Sequence, residues 1–360
     1  MMIFLVLPLL GIAYVGWHVW TLVPLPRVAR ATLIVFGVLS FFSIFLNLSR
    51  TIDQMPMWLA RCCYEIGNSS VFVLLYMVMI FLVLDLGRLV RLIPREWLHQ
   101  NVYTTIALTI GLFVVFLTGN IIYRHKVRET LELTTSKPLA KPLKLVMMSD
   151  LHLGYHNPRS EFHRWVDLVN QEKPDIVLIA GDIIDISVRP LIEENMAEEF
   201  RRIEAPVYAC LGNHEYYSGE PQAQQFYKDA GIHLLMDTCE VVGDLCIIGR
   251  DDRTNPHRKS LGKLVAEADT LLSKYTIVLD HQPYFLEQVE KAGVDFQLSG
   301  HTHRGQVWPI SWITDRVYEC SFGPYQKGNT RFYVSSGIGI WGGKFRIGTQ
   351  SEYIVATIKR

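Results

Sequence analysis

Four long apolar stretches in the first third of the chain limit its possible folds more than any other feature. They cover residues 2–23, 31–49, 66–87 and 102–123. Each has about 18–22 residues, enough to cross a hydrocarbon core of ~30 Å as a helix. Tryptophans, which favour the membrane–water interface, lie near the predicted ends at Trp20, Trp58 and Trp97. The sequence therefore predicts a four-span transmembrane region over residues 1–123.

The first stretch has an alternative interpretation as a signal peptide. It lacks a basic start, and three similar stretches follow it, so we favour four spans. No charged residue is predicted deep within a span, because Asp85 lies near an end, where it can pair with Arg88. Transport proteins usually need ionisable groups at membrane depth. We therefore expect an anchor rather than a receptor or transport component.

The loops between the spans predict the orientation of the chain. Loops 1–2 and 3–4 together hold five arginines, which are Arg27, Arg30, Arg88, Arg91 and Arg95. Loop 2–3 holds Arg50 and Arg61. Basic loops stay in the cytoplasm, so the part after the last span is expected to be extracytoplasmic. A basic cluster directly after that span argues for the opposite side, and it comprises Arg124, Lys126 and Arg128.

The remaining residues have the composition of an ordinary globular protein. The whole chain has 35 basic and 35 acidic side chains and a formal net charge of zero, which gives no reason to expect nucleic acid as a partner. Residues 124–143 lack periodicity and contain Pro138 and Pro142. This pattern predicts an extended linker. Its basic residues are expected either to contact lipid headgroups or to be ordinary flanking charge.

Residues 144–360 alternate between strand and helix patterns, which indicates an α/β fold with a mixed sheet. Ile176–Ala180 is a continuous apolar run, typical of a strand buried on both faces. A two-residue turn predicts a hairpin that pairs Val241 with Cys246, so Cys239 lies diagonal to Cys246 and the cysteines are expected to be free. Strands are predicted at 144–148, 176–180, 207–211, 276–279, 296–298, 331–334 and 353–357, and helices at 160–171 and 193–203.

Five predicted strands are each followed directly by side chains with oxygen or imidazole donors. These are Asp150 and His152, then Asp182 and Asp185, then Asn213, His214 and Glu215, then Asp280 and His281, and finally His301 and His303. Ligands of open α/β sheets bind at the carboxyl ends of strands. The donors suit Mn²⁺, Fe or Zn²⁺. Two such ions ~3.5–4 Å apart share an anionic ligand, acidify a water and hold the oxygens of a phosphoryl group.

Four motifs carry a resemblance to a known family. They are Asp150-x-His152, Gly181-Asp182-x-x-Asp185, Gly212-Asn213-His214-Glu215 and Gly300-His301-x-His303. In this order, and with His281, they resemble the calcineurin-like metallophosphoesterase family over about residues 144–360. The resemblance implies a four-layer sandwich of two mixed sheets flanked by helices. In this chain the four-helix transmembrane region would precede that sandwich.

The resemblance also implies a role for each motif residue. The first metal would be held by Asp150, His152 and His303, the second by Asn213, His281 and His301, and both by Asp182 as a bridge. His214 would not bind metal. It would stabilise the transition state and protonate the leaving oxygen when a hydroxide shared by the metals attacks phosphorus. No ligand position is substituted, which counts against a scaffold with a degenerate site.

The end of the chain resembles one branch of the family, the membrane-associated bacterial phosphohydrolases. The resemblance lies in Ser335-Ser336-Gly337-Ile338-Gly339, Arg346-Ile347-Gly348-Thr349 and Glu352. Members of this branch include phosphodiesterases and enzymes that cleave UDP-diacylglucosamine in lipid A synthesis. The resemblance implies a multi-pass protein of the bacterial inner membrane whose phosphoester substrate is a lipid headgroup or a lipid-linked pyrophosphate. The alternative is a phosphodiesterase for soluble nucleotides that uses the membrane region only as a tether.

Four further features are assigned from residue type alone. Arg346 is a candidate bidentate contact to a phosphate oxygen, with a structural salt bridge as the alternative. Asp185 and Glu215 are expected to orient a loop or a ligand. His156 is expected either to face substrate or to lie on the surface. Core packing is the expectation for a group of aromatics, with a lipid-facing slot as the alternative; the group comprises Trp308, Trp312, Phe322, Tyr325 and Trp341.

Overall fold

The computed structural model describes residues 2–268 and 273–360. The chain forms two compact units. The N-terminal unit comprises Met1–Gly119 and Gly342–Lys344, and the C-terminal unit comprises Asn120–Trp341 and Phe345–Arg360. The first five helices are α1 (Met2–Leu22), α2 (Arg27–Phe42), α3 (Ile44–Leu48), α4 (Met57–Leu89) and α5 (Val102–Arg124). The last turn of α5 belongs to the C-terminal unit.

Three helical segments are long and apolar enough to cross a membrane. They are Arg27–Leu48, Met57–Leu89 and Val102–Arg124, and Val6–Leu22 is a shorter apolar helix. An apolar helix is thus present at each of the four predicted stretches. That all four cross a bilayer remains a prediction.

A polar cluster joins α1 to α4. Asp85 lies 3.8 Å from the Arg88 guanidinium, as expected. It also accepts hydrogen bonds from the Tyr14 hydroxyl at 2.7 Å and from His18 Nε2 at 3.0 Å. His18 is buried and stacks on Phe81 with ring centroids 4.2 Å apart. Because a polar group in an apolar setting is costly without a partner, these bonds stabilise the packing of the two helices.

The C-terminal unit contains two six-stranded mixed sheets. Its strands are β1 (Lys126–Thr134), β2 (Leu143–Met148), β3 (Ile176–Ala180), β4 (Val207–Cys210), β5 (His233–Leu234), β6 (Thr238–Val242), β7 (Leu245–Gly249), β8 (Tyr275–Leu279), β9 (Phe296–Ser299), β10 (Gly323–Lys327), β11 (Thr330–Val334) and β12 (Ser351–Lys359). The first sheet has the order β1-β12-β2-β3-β4-β5, and the second has the order β10-β11-β9-β8-β7-β6. Strands β2 to β5 are mutually parallel, as are β7, β8, β9 and β11.

The helices of this unit are α6 (Arg159–Gln171), α7 (Arg189–Glu193), α8 (Met196–Phe200), α9 (Asn213–Ser218), α10 (Glu220–Ala230), α11 (Leu261–Glu267), α12 (Leu286–Lys291) and α13 (Ile310–Val317). All of them except α13 pack on the outer faces of the two sheets. Side chains of a strand alternate between faces. In β2, Leu145 and Met147 pack in the core between the sheets, whereas Val146 and Met148 pack against the helices. The predicted helix–sheet–sheet–helix sandwich is confirmed.

Two predicted segments differ from the structure. Residues 126–134 of the predicted linker form edge strand β1, which pairs in parallel with β12 from Lys126 opposite Ser351 onward. The linker prediction is therefore wrong for these residues. The helix predicted over 193–203 is shortened to α8, which begins at Met196 because Asn195 before it has a left-handed backbone with φ 53°; α7 ends at Glu193.

The predicted hairpin is confirmed together with its register. Strands β6 and β7 are antiparallel, with Val241 opposite Cys246 and Cys239 opposite Ile248. All six cysteines are free, as expected, and Cys210, Cys246 and Cys320 are buried. The described residues therefore hold their fold without a disulfide.

Part of the aromatic group lies on the surface. Trp312 is 63% exposed, Trp341 is 43% exposed and Trp308 is 40% exposed. Helix α13, which carries Trp312, contains no buried residue. The expectation of core packing is therefore wrong for these three tryptophans.

Candidate metal centre

The carboxyl ends of parallel strands from both sheets meet at one edge of the sandwich. The loops after β2, β3, β4, β8 and β9 carry the seven predicted metal ligands, which are Asp150, His152, Asp182, Asn213, His281, His301 and His303. The structure brings six of these together in two groups, within each of which one ligand atom per residue lies within 4.8 Å of the others. The groups are Asp150, His152 and His303, and Asp182, His281 and His301. The seventh, Asn213, contacts His301.

The first group consists of two imidazoles and a carboxylate, all buried. Nε2 of His152 lies 3.1 Å from Nε2 of His303. Nε2 of His303 lies 3.3 Å from Oδ1 of Asp150. Burial lowers the pKa of His303 well below its usual value, and the neighbouring His152 and Arg346 lower it further. Two imidazoles beside a carboxylate form a donor set that suits a divalent cation.

In the second group, the orientation of the His281 ring indicates which nitrogen would bind a metal. Its Nδ1 donates to the carbonyl of Ala180 at 2.8 Å. This bond orients the ring so that Nε2 faces the site. Nε2 lies 3.0 Å from Oδ2 of Asp182. Oδ1 of Asn213 lies 2.8 Å from Nδ1 of His301. An imidazole nitrogen that faces a carboxylate at this distance fits a cation held between them.

Asp182 lies between the two groups. Its Oδ2 is 3.0 Å from Nε2 of His281 and 3.6 Å from Nε2 of His152. Its Oδ1 accepts a hydrogen bond from the backbone N–H of His214 at 2.9 Å. The carboxylate is thus oriented by the loop after β4 while it faces both imidazole groups.

Glu215 fixes the backbone of the loops that carry Asp182 and Asn213. This fully buried carboxylate accepts hydrogen bonds from the N–H groups of Asp182, Ile184 and Gly212, at 3.1, 3.0 and 2.7 Å. It therefore joins the loop after β3 to the loop after β4. This contact agrees with the expectation that Glu215 orients a loop.

Asp185 connects a ligand of the first group to His214. Its Oδ1 lies 3.2 Å from Nδ1 of His152, and its carbonyl accepts a hydrogen bond from Nδ1 of His214 at 3.1 Å. Burial by itself lowers the pKa of His214, but the carboxylates of Asp182 and Asp185 outweigh it and raise that pKa to about 9. The two carboxylates therefore favour the protonated form of the His214 ring.

Five of the seven predicted ligands have a left-handed backbone. They are Asp150, His152, Asp182, His301 and His303, with φ between 44° and 70°. A non-glycine residue in this region costs on the order of 1–3 kcal/mol, and such residues cluster at functional sites. The hydrogen bonds of the neighbouring loops compensate for this strain. The positions of the ligands therefore depend on all of these loops together.

Gly300 offers a test of how closely the backbone approaches the ligands. A Cβ at this position would lie 2.2 Å from Oδ2 of Asp150. We expect Gly300→Ala to displace that carboxylate and to weaken Mn²⁺ binding by about 10–100-fold, the typical cost of perturbing the support of a ligand. The matched control is Gly262→Ala, because a Cβ there meets nothing within 4 Å. Equal Mn²⁺ affinity of the two variants in a calorimetric titration would contradict this geometry.

Arg346 does not occupy the position expected of a phosphate contact. It is fully buried. Its guanidinium donates to the carbonyls of His303 at 2.9 Å and Gly339 at 3.0 Å, and to the hydroxyl of Ser351 at 3.2 Å. The predicted substrate contact is therefore wrong, because the donors are used on the protein. The side chain instead ties His303 to the loop that follows β11.

His156 also differs from both of its expected positions. It is buried, and its Nε2 donates to the carbonyl of Ile340. Its Nδ1 lies 4.0 Å from Asp185. His156 is therefore a packed residue beneath the site rather than a surface or substrate-facing one.

Two residues that support the site had no signal in the sequence. The Asn157 amide donates to the carbonyls of His152 at 2.9 Å and Leu151 at 3.1 Å. Its Oδ1 accepts a hydrogen bond from the Tyr123 hydroxyl at 2.6 Å. Tyr123 lies in the last turn of α5, where its only sequence context is an apolar helix end. Tyr123 is fully buried. Through Asn157, its hydroxyl links the last turn of α5 to the loop that carries His152.

Comparison with known proteins finds similarity to one family over the part of the chain that carries this site. Residues 143–305 match the family described as calcineurin-like phosphoesterase. A metallophosphoesterase of Campylobacter jejuni is 32% identical over 228 residues, which cover 61% of this chain and 60% of that protein. A protein of Danio rerio named transmembrane protein with metallophosphoesterase domain is 30% identical over 237 residues, which cover 61% of this chain and 53% of that protein.

The similarity to solved structures is weaker, in sequence identity, than the similarity to the relatives named above. A dimetal phosphatase from Danio rerio superimposes with a TM-score of 0.37 at 13% identity, covering 54% of this chain and 88% of that one. The matched part of this chain spans about three fifths of the length of the Campylobacter relative. The sequence comparisons therefore assign the domain rather than the activity of the whole protein.

Proposed function

Since residues 143–305 form a calcineurin-like metallophosphoesterase domain, we propose that the protein is a membrane-anchored, two-metal phosphoester hydrolase. One observation carries the proposal above all. Asp182 lies within 3.6 Å of imidazole nitrogens from two separate ligand groups. A carboxylate in that position suits a bridge between two metals. We propose Mn²⁺, Fe or Zn²⁺ as the ions, from the nitrogen and oxygen donors.

The chain's own residues supply the positioning. Asp150, His152 and His303 would hold one ion, and Asn213, His281 and His301 the other, with Asp182 shared. When bound, a metal pair activates a water and neutralises the oxygens of a phosphoryl group. Hydrogen bonds from His281 to the carbonyl of Ala180 and from the backbone N–H of Asp182 to Glu215 keep the ligands in place before substrate arrives. Preorganisation of this kind lowers the cost of reaching the transition state.

His214 is proposed as the general acid. Its Nδ1 donates to Asp185, which leaves Nε2 to meet the substrate. The neighbouring carboxylates favour the protonated form of the ring. A proton passed from Nε2 to the leaving oxygen avoids release of a high-energy alkoxide.

The substrate proposed first is a lipid headgroup or a lipid-linked pyrophosphate. Three helices long and apolar enough to cross a membrane support it, because an anchored enzyme searches a lipid surface in two dimensions. A relative named as a transmembrane protein with a metallophosphoesterase domain supports the same combination. A phosphodiesterase for soluble nucleotides is the second candidate. The extracytoplasmic placement of the C-terminal unit stays a prediction from loop charges, which a reporter fused after Arg360 would test.

Metal-dependent hydrolysis tests the proposed activity. We expect the purified full-length protein to hydrolyse an aryl phosphodiester with Mn²⁺ and to lose at least about 99% of that rate in EDTA, since the ions supply several kcal/mol of transition-state stabilisation. Added Mn²⁺ should restore the rate. Full activity after exhaustive chelation, with metal absent by elemental analysis, would contradict the proposal.

A further inference from the structure

A basic cavity lies between the end of α5 and the start of α6, within the C-terminal unit. Its volume is about 440 Å³. Four basic side chains line it, Arg124, His125, Lys126 and Arg164, together with the carboxylate of Glu161. None of these residues belongs to the metal centre, so the function proposed above leaves the cavity unexplained.

The charges of the basic cavity favour an anion. Three permanent cations face one carboxylate, and that carboxylate is buried and accepts a hydrogen bond from the Tyr123 hydroxyl at 2.7 Å. The Arg164 guanidinium is exposed, and it has no carboxylate partner in the described part of the chain. Arg124 uses its Nε on Asn120 at 2.8 Å, which leaves its terminal amino groups available.

Lys126 is held in place at the wall of the basic cavity. Its ammonium lies 3.8 Å from the ring centroid of Tyr123 and 4.8 Å from that of Trp165. It also donates to the carbonyl of Tyr123 at 2.8 Å. Cation–π contacts with two rings restrict the side chain, so the ammonium group stays beside the cavity instead of moving freely in solvent.

The position of the basic cavity along the chain identifies the source of the anion. Helix α5 is apolar enough to cross a membrane and ends at Arg124. With α5 inserted as proposed above, the cavity would begin where that helix leaves the hydrocarbon, at the depth of lipid headgroups. Basic pockets at such ends bind anionic headgroups, and guanidinium groups match the geometry of phosphate oxygens. Trp165 adds an aromatic wall of the kind found at the interface.

We propose that the basic cavity binds the phosphate of an anionic phospholipid headgroup. The proposal rests on the membrane insertion of α5 contained in the proposed function, but it does not depend on hydrolysis at the metal centre. The lipid bound here is a ligand rather than a substrate. It would hold the junction between α5 and the C-terminal unit against one leaflet of the bilayer.

Native mass spectrometry of the full-length protein in detergent tests the proposal. The protein would be titrated with phosphatidylglycerol, with phosphatidylcholine of the same acyl chains, and with inorganic phosphate. We expect phosphatidylglycerol to bind tightest. Arg164→Gln should weaken its binding about fivefold, and Arg124→Gln with Arg164→Gln about 25-fold, from the typical contribution of one basic side chain near a membrane surface. The matched control is the exposed Arg201, as Arg201→Gln.

Several outcomes would overturn the proposal. Equal binding of the two lipids, or equal phosphatidylglycerol binding by Arg164→Gln and Arg201→Gln, would exclude a headgroup site in the basic cavity. Phosphate that binds as tightly as phosphatidylglycerol would make the occupant a free anion. Thermal unfolding checks that the variants fold. Alkaline carbonate extraction of membranes tests insertion, and hydrolysis of the soluble diester tests the metal centre, so the failure of either is distinguished from failure of the lipid site.

Discussion

Asp182→Ala is expected to lower kcat/KM for an aryl phosphodiester by about a thousandfold or more. Asp182 lies 3.0 Å from a ligand nitrogen of one group and 3.6 Å from one of the other. Its loss would leave both proposed ions without their shared anion. Metal pairs supply several kcal/mol of transition-state stabilisation, and about 4 kcal/mol corresponds to about a thousandfold in rate. Steady-state kinetics in saturating Mn²⁺ measures the effect.

A surface aspartate provides the control for this variant. Asp167 lies on α6 and pairs with Arg202 at 2.6 Å, away from the ligand groups. Asp167→Ala removes the same charge and should keep the wild-type rate. A surface pair of this kind contributes ~0–1 kcal/mol to folding, so both proteins should unfold cooperatively. If Asp182→Ala keeps most of the wild-type kcat/KM, the bridging assignment is wrong.

The second large effect is expected at His214. His214→Gln should lower kcat about 10²–10⁴-fold, the usual contribution of a general acid, while Mn²⁺ affinity stays within about threefold. The reason is that His214 is proposed to carry the proton for the leaving oxygen and is not one of the seven proposed ligands, although it lies beside the ligand His152. The loss should be largest for an alkyl phosphodiester and smallest for one with a nitrophenolate leaving group, because a stable leaving anion needs no proton.

The dependence on the leaving group separates proton transfer from a structural effect. A variant that merely distorts the site would slow both substrates to the same degree. His257 is exposed, and His257→Gln is the matched control with wild-type kinetics expected for both substrates. An equal loss of rate for both esters in His214→Gln would argue against the general-acid role.

The central strands were predictable because they are buried on both faces, whereas the sandwich of two sheets was expected only from the resemblance of the motifs to the family. Ile176–Ala180 is apolar without interruption, and every residue of this strand is buried. The register of the hairpin followed from the two-residue turn, which permits few pairings. The donors at the strand ends could be assigned together because parallel strands deliver their carboxyl ends to one edge.

The features that the sequence did not predict depend on distant partners. Strand β1 is only partly buried and pairs with β12, more than 200 residues later in the chain, so its local pattern resembles a linker. Arg346 looks like a phosphate ligand by residue type, yet its donors meet carbonyls that only the folded loops bring together. The contact of Tyr123 with Asn157 spans the end of an apolar helix and a loop, which no periodicity connects.

Metal content is the most direct test of the two-metal centre. The purified full-length protein would be loaded with Mn²⁺, freed of excess ion by gel filtration and measured by inductively coupled plasma mass spectrometry against protein concentration. We predict about two ions per chain, the number that a bridged pair requires, and fewer than two for Asp182→Ala. A stoichiometry of about one in the wild-type protein, or about two in both proteins, would contradict the bridged centre.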